Sequence, residues 1–356
     1  MGEKKKILYI VEAMGGGIFS YIVDLSNELI NYYDIYIAYA VRKQTPQNYM
    51  DYFDKRINLI KVENFCRSIN PIKDIKAMLE LKQIEKKIKP DIIHLHSSKA
   101  GAIGRIAFNG KIPMFYTPHG YSFLMENCNA IKRILFKSIE YICAKRKCVT
   151  ISCSAGEHLE TLKLTKKAVY VNNGININEL QKNIDKTEKI NHPFTVFTLG
   201  RICYQKDPTL FNEIAKQLSD IRFIWIGDGE LRNELNSSNI EVTGWVDRMK
   251  AIKYAVNADV FILPSRWEGL PISLLEAMYM KKICIVSNVI GNRDVIINNY
   301  NGFICLNADD FIKKIKTVRI NDFDSVVENA HDEILKKYNT QIMASEYKDI
   351  YENSLL

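Results

Sequence analysis

Two glutamates, Glu268 and Glu276, lie eight positions apart in the stretch EGLPISLLE, directly after the apolar run VFILPS. Gly269 and Pro271 between them indicate a turn into a helix, because Pro is tolerated in the first helical turn, where its N–H would be unpaired. We expect Glu268 on the loop and Glu276 about two turns into the helix. The N–H groups near Gly269 and Leu270 can then meet a phosphate or sugar. Glu268 can accept hydrogen bonds from sugar hydroxyls, and Glu276 can accept two from a ribose diol.

Cations and a glycine follow two other apolar runs in the same half of the chain. Arg201 and Lys206 lie just after FTVFTLG, five positions apart. Two cations there suit a diphosphate, whose charge must be stabilised as it leaves; a solvated surface pair is the alternative. Gly227 lies in IGDGELR, where a third run ends in a Gly-Asp-Gly turn before a helix. That turn alone is weak evidence for a ligand site, but it repeats the pattern of a candidate binding residue after an apolar run.

The first half of the chain has glycines and histidines at comparable places. Gly15–Gly17 precede a helix, and glycine N–H groups at a helix start can approach an anion. Their spacing fits neither a dinucleotide fingerprint nor a phosphate loop, so a tight turn is equally compatible. His119 in TPHGYSF can donate to a sugar hydroxyl or orient a reacting group, with a turn histidine as the alternative. His94 and His96 alternate on a strand without a third ligand nearby, which favours a structural or gating role over a metal site.

Apolar runs alternate with amphipathic helical stretches along the whole chain, which predicts parallel sheets covered on both faces. The predicted strands are 6–11, 34–41, 57–62, 91–97, 112–118 and 148–154, then 194–200, 222–228, 240–244, 259–265, 283–288 and 301–306. This pattern indicates an α/β protein of two doubly wound domains that face each other across a cleft. Ligands of such sheets bind at the carboxyl ends of the strands, where the residues above lie. We place the domains at 1–172 and 173–340, with a connection at 172–193 and a final helix at about 341–356.

Length and composition narrow the class of protein. A chain of 356 residues suits two domains, and 47% hydrophobic with 25% charged residues is ordinary for a globular protein. The N-terminal apolar run is short and ends at Glu12, unlike a signal peptide, and no stretch approaches the 18 apolar residues of a spanning helix. The eight cysteines show no CxxC pair and no zinc spacing, which favours reduced core cysteines in a cytosolic protein.

The net charge of +8 is concentrated in the first half of the chain. Residues 1–170 contain 27 Lys and Arg against 16 Asp and Glu, whereas the remainder contains 22 against 25. The helical stretch 130–147 combines an apolar face with Lys132, Arg133 and Lys137, and such a helix can rest on an anionic membrane. The alternative is a helix whose apolar face packs on the sheet. No nucleic-acid-binding motif accompanies the charge, so we expect no nucleic-acid partner.

Together these stretches resemble the retaining nucleotide-sugar glycosyltransferases of the GT-B fold, in glycosyltransferase family four. The resemblance covers nearly the whole chain and is strongest over 198–207 and 259–303. HLHSSKAG and TPHGYSF are most similar to bacterial capsule and exopolysaccharide glycosyltransferases. The resemblance implies an acceptor-side domain, to which the final helix crosses back, followed by a donor-binding domain.

The resemblance also implies a role for each motif residue. Arg201 and Lys206 would bind the donor diphosphate and stabilise it as the leaving group. Glu268 would bind donor-sugar hydroxyls and Glu276 the ribose, at the turn that contains Gly269 and Leu270.

On the acceptor side, the resemblance implies that Gly16 and Gly17 approach the phosphate or sugar. His119 would contact the donor sugar near the reacting carbon.

The implied activity is metal-independent, retaining sugar transfer from a nucleotide diphosphate, with UDP preferred and an N-acetylhexosamine as the candidate sugar. The acceptor would be a lipid-linked glycan in capsule or other cell-surface polysaccharide synthesis, at the inner face of the plasma membrane, without a cofactor. A GT-B-fold epimerase and an inactive glycosyltransferase-like partner subunit are the alternatives. A phosphorylase would need a pyridoxal-phosphate lysine, and no lysine can be nominated for that role.

Overall fold

The computed structural model describes residues 3–42, 45–66, 68–126 and 128–355, which divide into two compact units. The first unit contains the chain up to Asn173 and the segment from Thr340 onward. The second unit is Gly174–Asn339.

The first unit is built on a parallel sheet whose seven described strands have the order β3-β2-β1-β4-β5-β6-β7. The strands are β1 (Lys6–Met14), β2 (Asp34–Val41), β3 (Asn58–Lys61), β4 (Ile92–His96), β5 (Met114–Thr117), β6 (Val149–Ser152) and β7 (Ala168–Tyr170). The sequence predicts the first six. It does not predict β7, because this edge strand has only three residues, too few to distinguish a strand from a loop.

Helices cover both faces of this sheet, as the alternation along β1 requires. They are α1 (Gly16–Leu29), α2 (Pro71–Ile88), α3 (Ser98–Ala107), α4 (Ala130–Ala144) and α5 (Ala155–Leu162). Tyr9 and Val11 join a core with α1, whereas Leu8 and Ile10 join the core on the other face, with α2 and α3. One layer of helices therefore contains α2, α3 and α4, since α2 packs on α3 and α3 packs on α4.

The second unit repeats the plan with six described parallel strands in the order β10-β9-β8-β11-β12-β13. The strands are β8 (Thr195–Leu199), β9 (Arg222–Ile226), β10 (Ile240–Val242), β11 (Val260–Leu263), β12 (Ile283–Ser287) and β13 (Phe303–Cys305). The helices are α6 (Ile177–Asp185), α7 (Pro208–Gln217), α8 (Arg248–Val256), α9 (Ile272–Tyr279), α10 (Asn292–Val295), α11 (Ala308–Ile320) and α12 (Asp324–Lys337). The predicted α/β class with two doubly wound sheets is confirmed.

The last helix, α13 (Thr340–Leu355), returns to the first unit and packs against α1. Its buried Met343, Ala344, Tyr347 and Tyr351 belong to the same core as α1. Among the described residues, no helix is both long enough and apolar enough to cross a lipid bilayer.

Strand order reverses between β1 and β4 in the first sheet and between β8 and β11 in the second. Ligands of doubly wound sheets bind beyond the carboxyl ends of the strands at such a reversal. In the second unit, the segments after β8 and β11 contain the candidate cations and glutamates. The fold therefore brings these two segments to one edge.

Candidate functional site

A buried ion pair joins the two strand-end segments of the second unit. Glu268, on the loop after β11, is 6% exposed. Its Oε1 lies 2.6 Å from Lys206 Nζ, and its Oε2 accepts a hydrogen bond of 3.3 Å from Gln205 Nε2. Gln205 and Lys206 lie in the 3-10 turn that follows β8, and β8 pairs with β11. The neighbouring strands thus bring together two predicted site residues that are 62 positions apart.

Further contacts fix the loop around Glu268. The backbone N–H of Arg266 donates to the Gln205 carbonyl at 2.8 Å, and Gln205 Nε2 donates to the Trp267 carbonyl at 3.0 Å. Arg266 Nη2 also donates to Asp207 Oδ1 at 2.8 Å. Asp207 has a φ of +52° and caps α7. These supporting residues were not predicted from the sequence, because a single Asp or Gln after a strand is a common feature of turns.

Glu276 is buried in α9 and has a cationic partner of its own. It is 5% exposed, and its Oε1 lies 2.6 Å from Arg248 Nη2. The helix begins at Ile272, with Pro271 at the N-cap, so Glu276 is its fifth residue. The expected depth of two turns was therefore too large. Arg248, the first residue of α8, was not predicted, since one arginine at a helix start does not reveal its partner.

Glycines allow the strand-end loops of the second unit to approach one another. Gly227 has a φ of +138°, and a Cβ built on it would lie 2.2 Å from the carbonyl oxygen of Gly200. Gly291, with a φ of +84°, would place a Cβ 2.3 Å from the carbonyl oxygen of Gly269. A side chain at either position would displace backbone, so Gly227 has a packing role in this turn. Leu270 is buried beside them, and Gly291 was not predicted.

Arg201 pairs with a different carboxylate, Glu230. Its Nε donates to Glu230 Oε2 at 2.9 Å, and the Arg201 and Glu230 side chains are 32% and 52% exposed. An exposed ion pair contributes little free energy, typically about 0–1 kcal/mol. Arg201 can therefore exchange Glu230 for a stronger anion at low cost.

In the first unit, the predicted glycines form an open helix start. Gly16 has a φ of +58° and begins α1, with Gly15 at the N-cap. Within the described part of the chain, a Cβ built on Gly16 or Gly17 would meet no atom within 4 Å. The backbone N–H groups of this first turn are thus accessible, and a helix start favours an anion.

His119 is partly exposed and packs against a cluster of buried rings. It has a φ of +54°, unusual for a residue other than glycine, and its Nε2 lies 3.1 Å from His96 Nδ1. The Tyr21 ring lies edge-on to it, with 4.5 Å between centroids. Burial lowers the pKa of His119 to about 3, so its imidazole is neutral at physiological pH. A neutral imidazole can donate a hydrogen bond from one ring nitrogen and accept one at the other.

Two tyrosines of α13 form hydrogen bonds within this cluster. Tyr351 Oη lies 2.6 Å from His94 Nδ1, and His94 Nε2 lies 2.9 Å from Thr117 Oγ1. Tyr21 Oη donates to Tyr347 Oη at 2.5 Å. Burial lowers the pKa of His94, so this ring is neutral as well. The described residues contain no group of three His, Cys, Asp or Glu side chains arranged to bind a metal ion.

The basic helix α4 is oriented with its apolar residues toward solvent. Ile131 is 77% and Ile142 64% exposed, and Ile134, Leu135 and Tyr141 are also exposed. Lys132, Arg133 and Lys137 are exposed alongside them. This arrangement differs from the alternative of an apolar face packed on the sheet. Ile139 of the same helix is only partly exposed.

The buried side of α4 includes a charged residue. Glu140 is buried, its Oε2 lies 2.6 Å from Arg105 Nη2, and its Oε1 accepts a 2.8 Å hydrogen bond from the Tyr116 hydroxyl. The buried Glu140 therefore orients the apolar residues of α4 outward.

Two family models match the chain, and together they cover most of it. The model described as Glycosyl transferases group 1 matches residues 148–338, and the model described as Glycosyltransferase Family 4 matches residues 15–179.

Curated relatives and a solved structure agree with these matches. The chain is 34% identical to the Escherichia coli UDP-Gal:alpha-D-GlcNAc-diphosphoundecaprenol alpha-1,3-galactosyltransferase over 85% of each protein. It is 25% identical to the Campylobacter jejuni N,N'-diacetylbacillosaminyl-diphospho-undecaprenol alpha-1,3-N-acetylgalactosaminyltransferase over 84% of this chain and 86% of that protein. The crystal structure of Anabaena HepE in complex with UDP and glucose superposes with a TM-score of 0.80 at 14% identity, over 98% of this chain and 99% of that one.

Proposed function

Because the chain belongs to the GT-B glycosyltransferases of glycosyltransferase family four, we propose that it transfers a sugar from a nucleotide diphosphate to a lipid-linked glycan acceptor in polysaccharide synthesis. One observation carries the proposal. Glu268 and Glu276 are buried at the carboxyl edge of β11, and each has a cationic partner, Lys206 and Arg248. At the end of a central strand, such carboxylates can accept hydrogen bonds from the hydroxyls of a ligand, and the cations beside them can meet its negative charge.

The donor would lie along these residues. Glu268 accepts hydrogen bonds from the sugar hydroxyls, Lys206 and Arg201 bind the diphosphate, and Glu276 accepts hydrogen bonds from the ribose diol. In the first unit, Gly16 and Gly17 offer N–H groups to an anion, and His119 can donate a hydrogen bond to a sugar hydroxyl. The names of the Escherichia coli relative and of the HepE complex support UDP as the nucleotide and a hexose as the sugar, and the name of the Campylobacter jejuni relative supports an N-acetylhexosamine.

The reaction that fits these groups is retaining transfer by same-face attack. The acceptor hydroxyl oxygen bonds to the anomeric carbon as the bond to the diphosphate breaks, and the acceptor proton passes to the departing phosphate oxygen. Lys206 and Arg201 stabilise the charge of that leaving group without requiring a divalent ion. Glu268 is paired with Lys206 and Glu276 with Arg248, so no carboxylate pair is assigned to covalent catalysis. Detection of a glycosyl-enzyme adduct by mass spectrometry would contradict this mechanism.

The acceptor would reach the enzyme at a membrane surface, on which α4 rests. Exposed isoleucines next to Lys132, Arg133 and Lys137 give the helix the apolar and cationic groups that an anionic lipid–water interface binds. The names of both curated relatives contain a diphosphoundecaprenol acceptor, which supports this placement. Flotation with vesicles of anionic lipid measures the contact directly.

The first test is calorimetric binding of UDP, GDP, ADP and CDP without metal, to the native chain and to Glu276→Ala. We expect one nucleotide to bind with micromolar affinity and Glu276→Ala to weaken that binding about tenfold or more, because a ribose hydroxyl loses a charged acceptor. The exposed Glu213 of α7 provides a matched control, and Glu213→Ala should bind like the native chain. If no nucleotide binds, or if Glu276→Ala has no effect, the donor assignment is wrong.

A further inference from the structure

A second apolar stripe is exposed on the layer of helices that contains α4. Ile72, Ile75 and Leu79 of α2 are 70%, 57% and 57% exposed, and their spacing of three and four residues puts them on one side of the helix. The helix already buries a different side, through Ala77 and Leu81. A helix on a sheet normally turns its apolar stripe inward, so a second, outward stripe calls for a partner.

The charges next to the stripe are cationic. Lys73 and Lys76 are exposed between its members. The two carboxylates of residues 71–82 are both engaged away from it. Asp74 Oδ1 lies 2.7 Å from Lys99 Nζ, and Glu80 Oε1 accepts a 2.9 Å hydrogen bond from the backbone N–H of Glu63.

This mixture fits a lipid surface better than a protein surface. Lysine is depleted from the buried centres of protein interfaces, because its ammonium group is costly to desolvate. At a bilayer, the aliphatic side chains enter the region below the headgroups, while lysines extend to the phosphates. Ile72 and Ile75 alternate with Lys73 and Lys76 in a way that allows both contacts at once.

The stripe is also continuous with the membrane contact proposed for α4. Both helices belong to one layer and are separated by α3, whose Ile106 is exposed as well. Both begin at the carboxyl edge of the sheet, since α2 follows β3 and α4 follows β5. The stripe occupies the first half of α2, and Lys132 and Arg133 lie in the first turn of α4, so both sets of groups lie toward that edge.

We propose that Ile72, Ile75 and Leu79, with Lys73 and Lys76, form a second contact with an anionic bilayer. The proposal rests on the proposed function, which supplies α4 as the first contact. A protein bound through one amphipathic helix can still rotate about the axis of that helix. Contacts at two separated stripes fix its orientation on the membrane surface. The carboxyl edge of the first sheet, where His119 and Gly16 lie, is then held at the level of the lipid headgroups. A diphosphate-linked acceptor presents its sugar at that level.

The test is flotation of the full chain with vesicles of phosphatidylcholine alone or with about 30% phosphatidylglycerol. The triple variant Ile72→Ser, Ile75→Ser, Leu79→Ser should partition about tenfold or more weakly to the anionic vesicles, since apolar area that enters the interface is lost. Its thermal unfolding should match that of the native chain, because the three side chains are exposed. The control is Tyr32→Ser with Met50→Ser, two exposed residues of the first unit outside this helix layer, and it should bind normally.

A fluorescence measurement reports the contact itself. Tryptophan emission of Leu79→Trp should shift to shorter wavelength on adding anionic vesicles, whereas that of Met50→Trp should not change.

The outcomes separate this inference from the proposed function. If neutralising Lys132, Arg133 and Lys137 weakens vesicle binding but the α2 triple variant does not, the second contact is wrong and the first stands. If neither variant changes vesicle binding, the membrane placement itself is wrong. If the native chain self-associates and the α2 triple variant is monomeric, the stripe is an interface between copies of the chain and the proposal is overturned.

Discussion

At the scale of single residues, the site depends on how two buried carboxylates are paired. An unpaired buried charge is costly, and removing one member of a buried pair destabilises a protein by about 3–5 kcal/mol. Lys206 pairs with Glu268, and Arg248 pairs with Glu276. A carboxylate has about four lone-pair sites, so the bond from Arg248 leaves Glu276 able to accept hydrogen bonds from a ribose diol. Arg248 thus positions Glu276 without occupying all of its acceptor capacity.

This pairing predicts the effect of replacing Arg248. Arg248→Met should weaken UDP binding about tenfold, because Glu276 loses the contact that orients it, and Arg248→Lys should restore part of the affinity. The preference for UDP over 2′-deoxy-UDP should shrink in Arg248→Met, which a purely structural role would not cause. Arg56, paired with Asp54 at 2.8 Å on the surface of the first unit, supplies the control Arg56→Met. Tighter UDP binding by Arg248→Met would mean that the arginine competes with the ribose.

At the scale of elements, α4 shows that amphipathicity alone does not decide which side of a helix is buried. The helix has the apolar periodicity of a core helix, yet its buried residues are Glu140 and Cys143, and among its described large apolar side chains only Phe136 packs against the core. Glu140 is bound by Arg105 from α3 and by the Tyr116 hydroxyl from β5. This buried charged network sets the rotation of α4 and leaves its isoleucines exposed.

The exposed cations of α4 predict a charge-dependent affinity for membranes. Changing Lys132, Arg133 and Lys137 to Gln should weaken binding to anionic vesicles by about 3 kcal/mol, or roughly 150-fold, at about 1 kcal/mol per residue. Binding to neutral vesicles should change little, and high salt should reduce the difference between the variant and the native chain. The same charge change at the exposed Lys182, Lys216 and Lys253 of the second unit is the control. Equal losses in both variants would show only a dependence on net charge.

At the scale of the whole molecule, the chain completes its first unit with its last helix. Tyr347 and Tyr351 of α13 are fully buried and contact the cluster of His94, His96 and His119 through hydrogen bonds and ring packing. Burial lowers the pKa of all three histidines, and that of His119 falls to about 3 from the ordinary 6.5. The native cluster is therefore neutral at pH values where the same histidines are protonated in the unfolded chain.

This difference predicts a loss of stability in acid. Below about pH 6.5 the unfolded state binds protons that the folded cluster does not, so the free energy of unfolding should fall as the pH is lowered toward 3. Each of these histidines contributes a slope of up to about 1.4 kcal/mol per pH unit. Urea unfolding followed by far-UV circular dichroism from pH 7.5 to 5 measures the slope. His96→Gln should show a smaller slope than the native chain, and an unchanged slope would exclude His96 from the effect.

The sequence by itself determined the fold class, the positions of the central strands and most of the candidate site. Central parallel strands are buried on both faces, so they appear as continuous apolar runs, and β8 and β11 are examples. Gly227 follows β9 directly, and Lys206 and Glu268 lie in the turns after β8 and β11. A strand and the turn after it are set by neighbouring residues, which is why local patterns were sufficient there.

The tertiary structure alone decided which side chains meet. Arg248 of α8 contacts Glu276 of α9, a pairing between two different helices, and Tyr351 contacts His94 across 257 positions of sequence. It also decided that α4 faces solvent with its isoleucines, since the partner of Glu140 lies on another helix. Hydrogen bonds and ion pairs act over a few ångströms in space, and separation along the chain does not encode that distance.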